Sequence, residues 1–273
     1  MGKKISIITI NYNDKEGLIK TIGSVINQSW KDFEFLVIDG NSTDGGKEVL
    51  TQYADQIDYC LSEPDKGVYN AMNKGIRAAT GDYLLFMNSG DLFYNNEVLQ
   101  KANALVDGNY GIYYGDVIVK KPHSERHKVY PDKLSFSYFY TGALCHQATF
   151  IKRQLFYDHF FYNEDYKIYS DGEFFIYTIC KMDVPYKHMD LLMTIYDFTG
   201  ISSTPKYEKL HEDERMKSIN KFFPQFAEDY KVLSKLNSKR VKQVFYIEKF
   251  PVAWKITKGF FSMMMFFLPK LKK

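Results

Sequence analysis

Residues 5–14 read ISIITINYND, a short β-branched run that turns abruptly polar, and this change of pattern decides the fold. A compact apolar run bounded by turn residues is typical of a buried strand. Asp14 is suited to cap a helix, and apolar residues then recur at helical spacing over 18–26. The stretch therefore predicts a strand that passes directly into a helix.

The same strand–helix unit recurs as far as residue 119. Further strands are predicted at 33–38, 57–61, 83–87 and 111–119, with helices after Ser42 or Thr43, over 69–79 and over 97–106. Beyond Pro122 the pattern becomes irregular and aromatic, with strands at 147–151 and 191–195 and a helix over 172–180. Because strands that alternate with helices of this length favour a parallel sheet, we expect an α/β fold with a mostly parallel central sheet flanked by helices.

Composition narrows the class of protein. The chain has 273 residues, of which 45% are apolar and 25% charged, as in an ordinary globular protein. Three cysteines without CxxC spacing argue against a disulfide scaffold and a four-cysteine zinc site, and they suit a reducing compartment. The first apolar run is too short for a signal peptide, and no stretch reaches the roughly 20 apolar residues that span a bilayer. These features predict a cytoplasmic location, peripheral on the inner face of the cytoplasmic membrane.

Charge is divided unevenly along the chain. Residues 1–205 carry 20 basic and 26 acidic side chains, a net charge of −6, whereas residues 206–273 carry 16 and 7, a net charge of +9. We therefore expect an α/β domain over 1–205 and a basic, helical region over 206–273. The acidic domain is a poor candidate for binding nucleic acid.

The carboxyl-terminal region combines its positive charge with an apolar sequence. Residues 245–268 mix Phe, Ile, Trp254 and three consecutive Met with Lys249, Lys255 and Lys258. A basic, apolar helix of this kind favours the surface of an anionic membrane. The alternative is a helix that packs on the body of the protein, or on a second subunit in a homodimer.

Polar side chains follow four of the predicted strands, at the point where each strand ends. These are Asn11 and Asn13, Asp39 and Asn41, Glu63 and Asp65, and Asn88 and Asp91. In open α/β sheets, ligands bind beyond the carboxyl ends of the strands. The pattern predicts one nucleotide-sized site at this edge of the sheet.

Four segments at these strand ends resemble the motifs of family 2 glycosyltransferases: ITINYND (8–14) with SVINQ (24–28), VIDGNSTDGG (37–46), SEPDKGVYNAMNKGI (62–76) and GDYLLFMNSGD (81–91). The resemblance extends over residues 4–200. It implies the Rossmann-like GT-A fold and inverting transfer of a sugar from a UDP- or GDP-linked donor to a hydroxyl acceptor. It also implies a lipid-linked or saccharide acceptor in bacterial surface polysaccharide or glycolipid synthesis.

The resemblance assigns eight residues to donor binding: Thr9, Asn11, Asp39, Asp65, Lys66, Asn70, Ser89 and Gly90. Thr9 and Asn11 would line the base pocket. Carboxylates such as Asp39 and Asp65 suit a base edge and ribose hydroxyls, because they accept hydrogen bonds from N–H and O–H groups. Lys66 lies just before a predicted helix, where a phosphate could bind. The structural alternatives are a turn role for Asp39 and helix-surface roles for Lys66 and Asn70.

A divalent cation, Mg²⁺ or Mn²⁺, is implied by the family's DXD metal motif. In Asn88-Ser89-Gly90-Asp91 only Asp91 keeps a carboxylate, so Asp91 is the predicted metal ligand. A hard cation can be held by one or two carboxylates together with phosphate oxygens and water. A tight turn after a buried strand is equally consistent with this sequence.

The segment FYNEDYKIYSDGEFFIYTI (161–179) resembles the family's acceptor-side segment, which implies that Asp171 is the general base. Displacement at the anomeric carbon needs such a base to take the acceptor's proton. Glu164, Asp165 and Glu173 are rival bases, and Asp171 could instead cap the helix that follows. Three further residues are predicted on the acceptor or donor-sugar side: His146, Glu173 and Gly200.

Other classes of protein are also consistent with parts of this pattern. A nucleotidyltransferase presents acids at the ends of a parallel sheet, but it needs a glycine-rich basic loop after the first strand, where this chain has residues 11–14. A dehydrogenase is disfavoured because GxGxxG is absent there. A catalytically silent scaffold that tethers partners at the membrane stays open, because the NSGD turn departs from the metal motif.

Overall fold

The computed structural model describes residues 5–121, 124–197, 205–236 and 238–269. The strands are β1 (Ile5–Asn11), β2 (Phe33–Asp39), β3 (Tyr59–Ser62), β4 (Tyr83–Phe86), β5 (Leu92–Phe93), β6 (Ile112–Lys121), β7 (Ser124–Lys128), β8 (Thr149–Lys152) and β9 (Tyr186–Asp197). The helices are α1 (Lys15–Ile26), α2 (Gly46–Gln52), α3 (Val68–Ala78), α4 (Val98–Leu105), α5 (Phe136–Thr141), α6 (Gln154–Asp158), α7 (Ser170–Ile176), α8 (Glu208–Phe222), α9 (Pro224–Leu236), α10 (Lys239–Glu248) and α11 (Pro251–Phe266).

The strands form one sheet in the order β3-β2-β1-β4-β8-β6-β9-β5, and β7 pairs with β6. The first four strands run parallel, as the alternation of strands and helices predicted. Beyond β4 the sheet is mixed, since β8 lies antiparallel to both β4 and β6, while β6 and β9 are parallel. An irregular segment, not a helical crossover, leads into β8, so this strand can return in the opposite direction. The α/β fold with a central sheet flanked by helices is thus confirmed.

Burial explains why these sequences form strands. Every residue of β1 and of β4 is buried, as in parallel strands covered on both faces. Helix α1 buries Leu18, Ile22 and Val25 against the sheet, and the Asp14 side chain accepts the Gly17 N–H at its amino terminus, as predicted. The cap predicted for the second helix is wrong. Gly45, at φ 95°, precedes α2, because the Ser42 hydroxyl is engaged with Asp39.

An aromatic cluster accounts for the irregular region beyond the parallel strands. The rings of Phe156 and Phe174 stack with centroids 4.3 Å apart, and Tyr162 packs edge-on against both. These rings fix helix α7 against the sheet, and α7 carries Asp171 in its first turn. Packing of this kind is directional, so it can position a loop that lacks regular secondary structure.

The chain divides into two compact units, residues 1–222 and 223–273. The division falls one helix after the charge break at 205/206, because α8 packs into the first unit. Lys221 of α8 pairs with Glu173 at 3.0 Å, and Glu214 accepts the backbone N–H groups of Lys167 and Ile168. The second unit contains α9, α10 and α11. Within the described ranges, no helix has the length and apolar character needed to cross a membrane.

Candidate active site

The carboxyl ends of β1, β2 and β3 meet at Asp39, which is fully buried. Asn11 Nδ2 donates to Asp39 Oδ1 at 2.8 Å, and the Ser42 hydroxyl donates to the same oxygen at 2.5 Å. The Ser62 hydroxyl and the Ser42 N–H donate to Oδ2 at 2.6 and 3.0 Å. The parallel register places Asn11, Asp39 and Ser62 side by side. We call these residues with Ser42 the Asp39 network.

The Asp39 network keeps this carboxylate ionised despite its burial. Burial raises the pKa of Asp39, but the four hydrogen bonds from Ser42, Ser62 and Asn11 outweigh burial, and the net pKa is lowered. Both oxygens are used within the protein, so Asp39 shapes the loop after β2 and does not present an open acceptor to a ligand. Asp39 therefore has the turn role named above as the alternative, and it positions the neighbouring loops at the site.

Tyr12 and Asp65 flank Gly40 beside this network, and we call the surface between these two side chains the cradle. A Cβ atom built on Gly40 would lie 2.3 Å from Asp65 Oδ2 and 3.0 Å from Tyr12 Cδ2, so a side chain at this position would require Asp65 to move. The Tyr12 ring is 67% exposed, and the Asp65 carboxylate is half-buried. An exposed ring next to a carboxylate suits a nucleobase and its hydrogen-bond donors.

The loop that carries Asp65 is held in place by short-range hydrogen bonds. Asp65 Oδ1 accepts the Gly67 N–H at 2.9 Å, and Asn70 Oδ1 accepts the Lys66 N–H at 3.3 Å. The Asn70 amide also donates to Glu164 at 2.8 Å. Asn70 therefore joins the start of α3 to the acceptor-side loop, while the Lys66 side chain is exposed at that helix terminus.

The turn after β4 brings Ser89 and Gly90 to the same edge. Ser89 Oγ donates to Asn11 Oδ1 at 2.8 Å, which extends the Asp39 network as far as β4. Gly90 has φ 95°, a left-handed conformation that favours glycine, and its N–H donates to Thr21 of α1 at 3.0 Å. The segment SVINQ (24–28) holds the chain just after this turn, because the Ser24 hydroxyl accepts the Phe93 N–H at 2.8 Å.

Asp91 does not offer an open carboxylate to a metal ion. Its side chain is nearly buried, and its Oδ2 accepts the Asn88 N–H at 3.0 Å within the same turn. Mg²⁺ and Mn²⁺ need accessible oxygen ligands. In the part of the chain that the structure describes, no group of three or more His, Cys, Asp or Glu residues could hold such an ion. Without a donor's phosphates the described side chains do not complete a cation site, and one Asp91 oxygen is engaged within its own turn, so the role of Asp91 as a metal ligand stays a prediction.

Asp171 lies at the centre of a second group of hydrogen bonds. Its Oδ1 accepts from the Tyr69 hydroxyl at 3.0 Å and from the Gly172 N–H at 2.9 Å. Its Oδ2 lies 2.9 Å from His146 Nδ1, and Nε2 of the same ring lies 3.1 Å from Asn88 Nδ2. We call Tyr69, Asp171, His146 and Asn88 the Asp171 chain.

The Asp171 chain leaves the carboxylate ionised and reachable. Burial raises the pKa of Asp171, but the hydrogen bond and charge of His146, with the Tyr69 hydroxyl, more than compensate, and the net pKa is lowered. The side chains of Asp171 and His146 keep 15% and 16% of their surface exposed, enough for a substrate hydroxyl to approach. The alternative role of Asp171 as the cap of α7 is wrong, because Tyr169 occupies the cap position without a side-chain bond and Asp171 lies inside the first turn.

Two predicted residues, Thr9 and Glu173, are buried and do not join these groups. Thr9 is fully buried within β1, so it supports the site from inside the sheet and cannot touch a donor at the surface. Glu173 is fully buried and paired with Lys221, because it faces α8 on the side of α7 away from Asp171. It is therefore neither an open rival base nor a substrate contact. Gly200 lies outside the described residues.

Two aromatic residues at the site escaped the sequence analysis. Tyr12 and Tyr69 both occur inside quoted motifs, ITINYND and SEPDKGVYNAMNKGI. In a chain with 22 tyrosines, residue type alone does not separate a ring at a ligand site from a core ring. Tyr12 directly follows β1, and Tyr69 lies in the first turn of α3. These positions at the strand ends were the sequence signal that could have identified both residues.

Comparison with known proteins agrees with this geometry. The chain matches the family model glycosyl transferase family 2 over residues 6–164. A PGL/p-HBAD biosynthesis glycosyltransferase of Mycobacterium bovis is 31% identical over 206 residues, 73% of this chain and 79% of that protein. The UDP-Glc:alpha-D-GlcNAc-diphosphoundecaprenol beta-1,3-glucosyltransferase WfgD of Escherichia coli is 27% identical over 135 residues, 49% of this chain and 53% of that protein.

The fold is also found among solved structures. The mannosyltransferase PcManGT from Pyrobaculum calidifontis, in complex with GDP-Man and Mn²⁺, superposes with a TM-score of 0.58 at 13% identity. The match covers 94% of this chain and 87% of that one. At this identity the likeness is one of fold.

Proposed function

This chain belongs to glycosyltransferase family 2, and we propose that it acts on a nucleotide sugar and transfers the sugar by direct displacement with Asp171 as the general base. The observation that carries this proposal is the meeting of two hydrogen-bond systems at one turn. Ser89 joins the Asp39 network and Asn88 joins the Asp171 chain. A donor bound beside the first network would thus present its sugar to the second.

The donor would lie along the strand ends. We place the base in the cradle between Tyr12 and Asp65, where a ring offers stacking and a carboxylate offers hydrogen-bond acceptance. The phosphates would face the turn Ser89–Gly90 and the exposed amino group of Lys66 at the start of α3. Asp39, Asn11 and Asn70 hold these loops in shape. Both UDP- and GDP-linked donors suit this arrangement, since WfgD is named for UDP-Glc and PcManGT was solved with GDP-Man.

Asp171 would act on the acceptor. As the acceptor oxygen bonds to the anomeric carbon, the bond from that carbon to the donor phosphate oxygen breaks, and the acceptor's proton passes to the Asp171 carboxylate. The products are a glycoside of inverted configuration and a nucleoside diphosphate. A lowered pKa keeps Asp171 ionised near neutral pH, which a base requires before it can accept the proton.

A divalent cation enters this proposal only through the donor. PcManGT was solved with Mn²⁺ and GDP-Man, and in this chain one oxygen of Asp91 is engaged within its own turn. Any Mg²⁺ or Mn²⁺ would therefore be bound through the donor's phosphate oxygens and water. No step of the proposed reaction is assigned to this ion.

We propose that the acceptor is lipid-linked and that the second unit binds the surface of an anionic membrane. WfgD is named for a diphosphoundecaprenol acceptor. Residues 223–273 carry eleven basic and three acidic side chains. Helix α11 exposes large apolar side chains along its length, among them Val252, Ile256, Phe260 and Phe266. Positive charge together with exposed apolar surface on a helix too short to span favours the membrane interface. A second copy of the chain, in a homodimer, is the alternative occupant.

The direct test measures release of UDP or GDP by the full-length protein from UDP-glucose and GDP-mannose. Asp171→Asn should lower this hydrolysis by about 10²- to 10⁴-fold, the usual effect of losing a general base, while donor affinity stays near that of the wild type. Asp82→Asn is the matched control, because Asp82 is exposed at the opposite end of β4. Binding without any turnover by either protein would favour the scaffold alternative, and equal turnover by both variants would remove Asp171 from the mechanism.

A further inference from the structure

His146 lies between the base and the turn after β4, and it touches both. Its Nδ1 is 2.9 Å from Asp171 Oδ2, and its Nε2 is 3.1 Å from Asn88 Nδ2. Phe86 packs edge-on against the ring, with centroids 6.5 Å apart. His146 begins the short helical segment His146–Ala148 that leads into β8, so backbone, ring contact and two hydrogen bonds restrict its orientation.

The partners determine which nitrogen of His146 carries the proton. An ionised carboxylate only accepts hydrogen bonds, so Nδ1 must donate to Asp171. The Asn88 amide nitrogen only donates, so with the amide in this orientation Nε2 accepts. In this arrangement the proton between His146 and Asp171 is on Nδ1. The family's metal motif is acidic in this turn, whereas the amide of Asn88 supplies the hydrogen that this tautomer needs.

We propose that His146 is a positioning residue for the base: it directs Asp171 Oδ2, while Asn88 holds His146 in the Nδ1–H tautomer. This assignment rests on the proposed role of Asp171. It replaces the substrate contact expected for His146, because both ring nitrogens already have protein partners. Tyr69 performs the same task on Oδ1, so the carboxylate is held from two sides.

The other ionisable groups near Asp171 do not substitute for His146. Those whose charge bears on Asp171 are Cys145, Tyr162, Tyr169 and His211. Burial raises the pKa of the Cys145 thiol to about 12, and it also raises the pKa of both tyrosines, so these three stay neutral near pH 7. Burial, with the charge of Arg215, lowers the pKa of His211. His146 is thus the histidine in hydrogen-bond contact with the base.

Loss of His146 should therefore change both geometry and acidity at Asp171. Without the hydrogen bond from His146, Oδ2 of Asp171 is no longer held in position. The hydrolysis rate should then fall about 10- to 100-fold, which is the effect of displacing a catalytic group by about 1 Å. Because the hydrogen bond from His146 lowers the pKa of Asp171, its loss should move the acidic limb of the pH–rate profile to higher pH. Donor affinity should not change, since His146 has no place in the donor cradle.

The experiment compares His146→Ala, His146→Asn and Asn88→Asp in the full chain, with UDP-glucose and GDP-mannose as donors. His146→Asn keeps an N–H donor near Nδ1, so it should recover part of the rate and of the acidic limb. Asn88→Asp removes the amide hydrogen that Nε2 accepts, so the Nδ1–H tautomer should no longer be fixed and the hydrolysis rate should fall. His127→Ala serves as the control, because His127 is exposed on β7, away from Asp171.

A second measurement does not depend on turnover. Ring ¹⁵N chemical shifts of the wild type should show one histidine fixed as the Nδ1–H tautomer, and His146→Asn should remove that signal. Asp171→Asn should perturb it. An unchanged acidic limb in His146→Ala, a donor affinity that falls in parallel with the rate, or an Nε2–H tautomer would each overturn the proposal. Failure of Asp171 as the base would appear separately, as full activity in Asp171→Asn.

Discussion

Asn88 and Ser89 are consecutive residues whose side chains enter two different hydrogen-bond systems. Ser89 Oγ donates to Asn11 at 2.8 Å, and Asn88 Nδ2 lies 3.1 Å from His146. The two side chains leave the turn toward different partners, so one short turn serves both sides of the site. The donor-binding edge and the candidate base are therefore coupled through a single backbone segment, which Thr21 holds from α1.

The first prediction concerns the cradle at Gly40. Gly40→Ala would place a Cβ 2.3 Å from Asp65 Oδ2, so the Asp65 side chain must move and the cradle must change shape. We expect donor affinity, measured by calorimetry with UDP and GDP, to fall about tenfold, equivalent to about 1.4 kcal/mol. Gly23→Ala is the matched control, because nothing lies within 4 Å of its Cβ. Unchanged nucleotide affinity in Gly40→Ala would place the base elsewhere.

The second prediction concerns the charge on Asp39. Its folded-state pKa is lowered, so its stabilising effect is complete above the unfolded-state value, 3.8, and is lost as the pH falls through the lower folded-state value. Asp39→Asn should reduce the free energy of unfolding near pH 7 by about 1–3 kcal/mol, since donors in the Asp39 network lose a charged acceptor. Below about pH 4, the stability of the variant should also decline less steeply than that of the wild type.

Urea denaturation at several pH values measures this effect, with the exposed Asp82→Asn as control. The assigned direction of the Asp39 pKa would be contradicted if the wild type lost no more stability in acid than Asp39→Asn.

The third prediction concerns metal dependence. Any Mg²⁺ or Mn²⁺ that takes part would be carried by the donor's phosphates, so chelation by EDTA should lower donor hydrolysis about 10- to 100-fold, since a catalytic metal is worth several kcal/mol, and Mn²⁺ should restore it. Asp91→Ala should lower the free energy of unfolding by about 1.5–3 kcal/mol, through the lost hydrogen bond to the Asn88 N–H. Hydrolysis that stays within about threefold of the untreated rate after chelation would show that no cation takes part.

The fourth prediction concerns the second unit. The full chain should sediment with vesicles that contain phosphatidylglycerol and not with neutral phosphatidylcholine vesicles, and binding should weaken with salt. The double substitution Ile256→Glu and Phe260→Glu should abolish sedimentation, because it places two carboxylates on the exposed apolar surface of α11. Val129→Glu is the control, an exposed apolar residue in the first unit. A concentration-dependent dimer without vesicle binding would assign this surface to a second copy.

The strand ends show how far the sequence predicts the site. Asn11, Asp39, Asn88 and Ser89 each follow a buried apolar run, and parallel pairing brings the ends of such strands together. Periodicity therefore predicted their proximity. It did not predict that Asp39 would use both oxygens within the protein, because Ser42 and Ser62 also suit helix caps and turns.

The errors have a common physical cause. Glu173 and Asp171 are two positions apart on α7, so they point to different sides of the helix, and packing against α8 determines which side faces the cleft. Asp91 has a suitable residue type for a metal ligand, but its side chain bonds to its own turn. Residue type and spacing leave such orientations open.

The amino-acid sequence by itself determined the α/β framework, the edge of the sheet at which polar residues gather and the basic, apolar character of the carboxyl-terminal helices, because periodicity and composition are local properties. The tertiary structure decided the partners of Asp171. Tyr69 and His146 lie 102 and 25 positions away from it in the chain. Contacts over such separations arise only when the aromatic region folds onto the sheet, since hydrogen bonds depend on direction and distance and no local pattern encodes either.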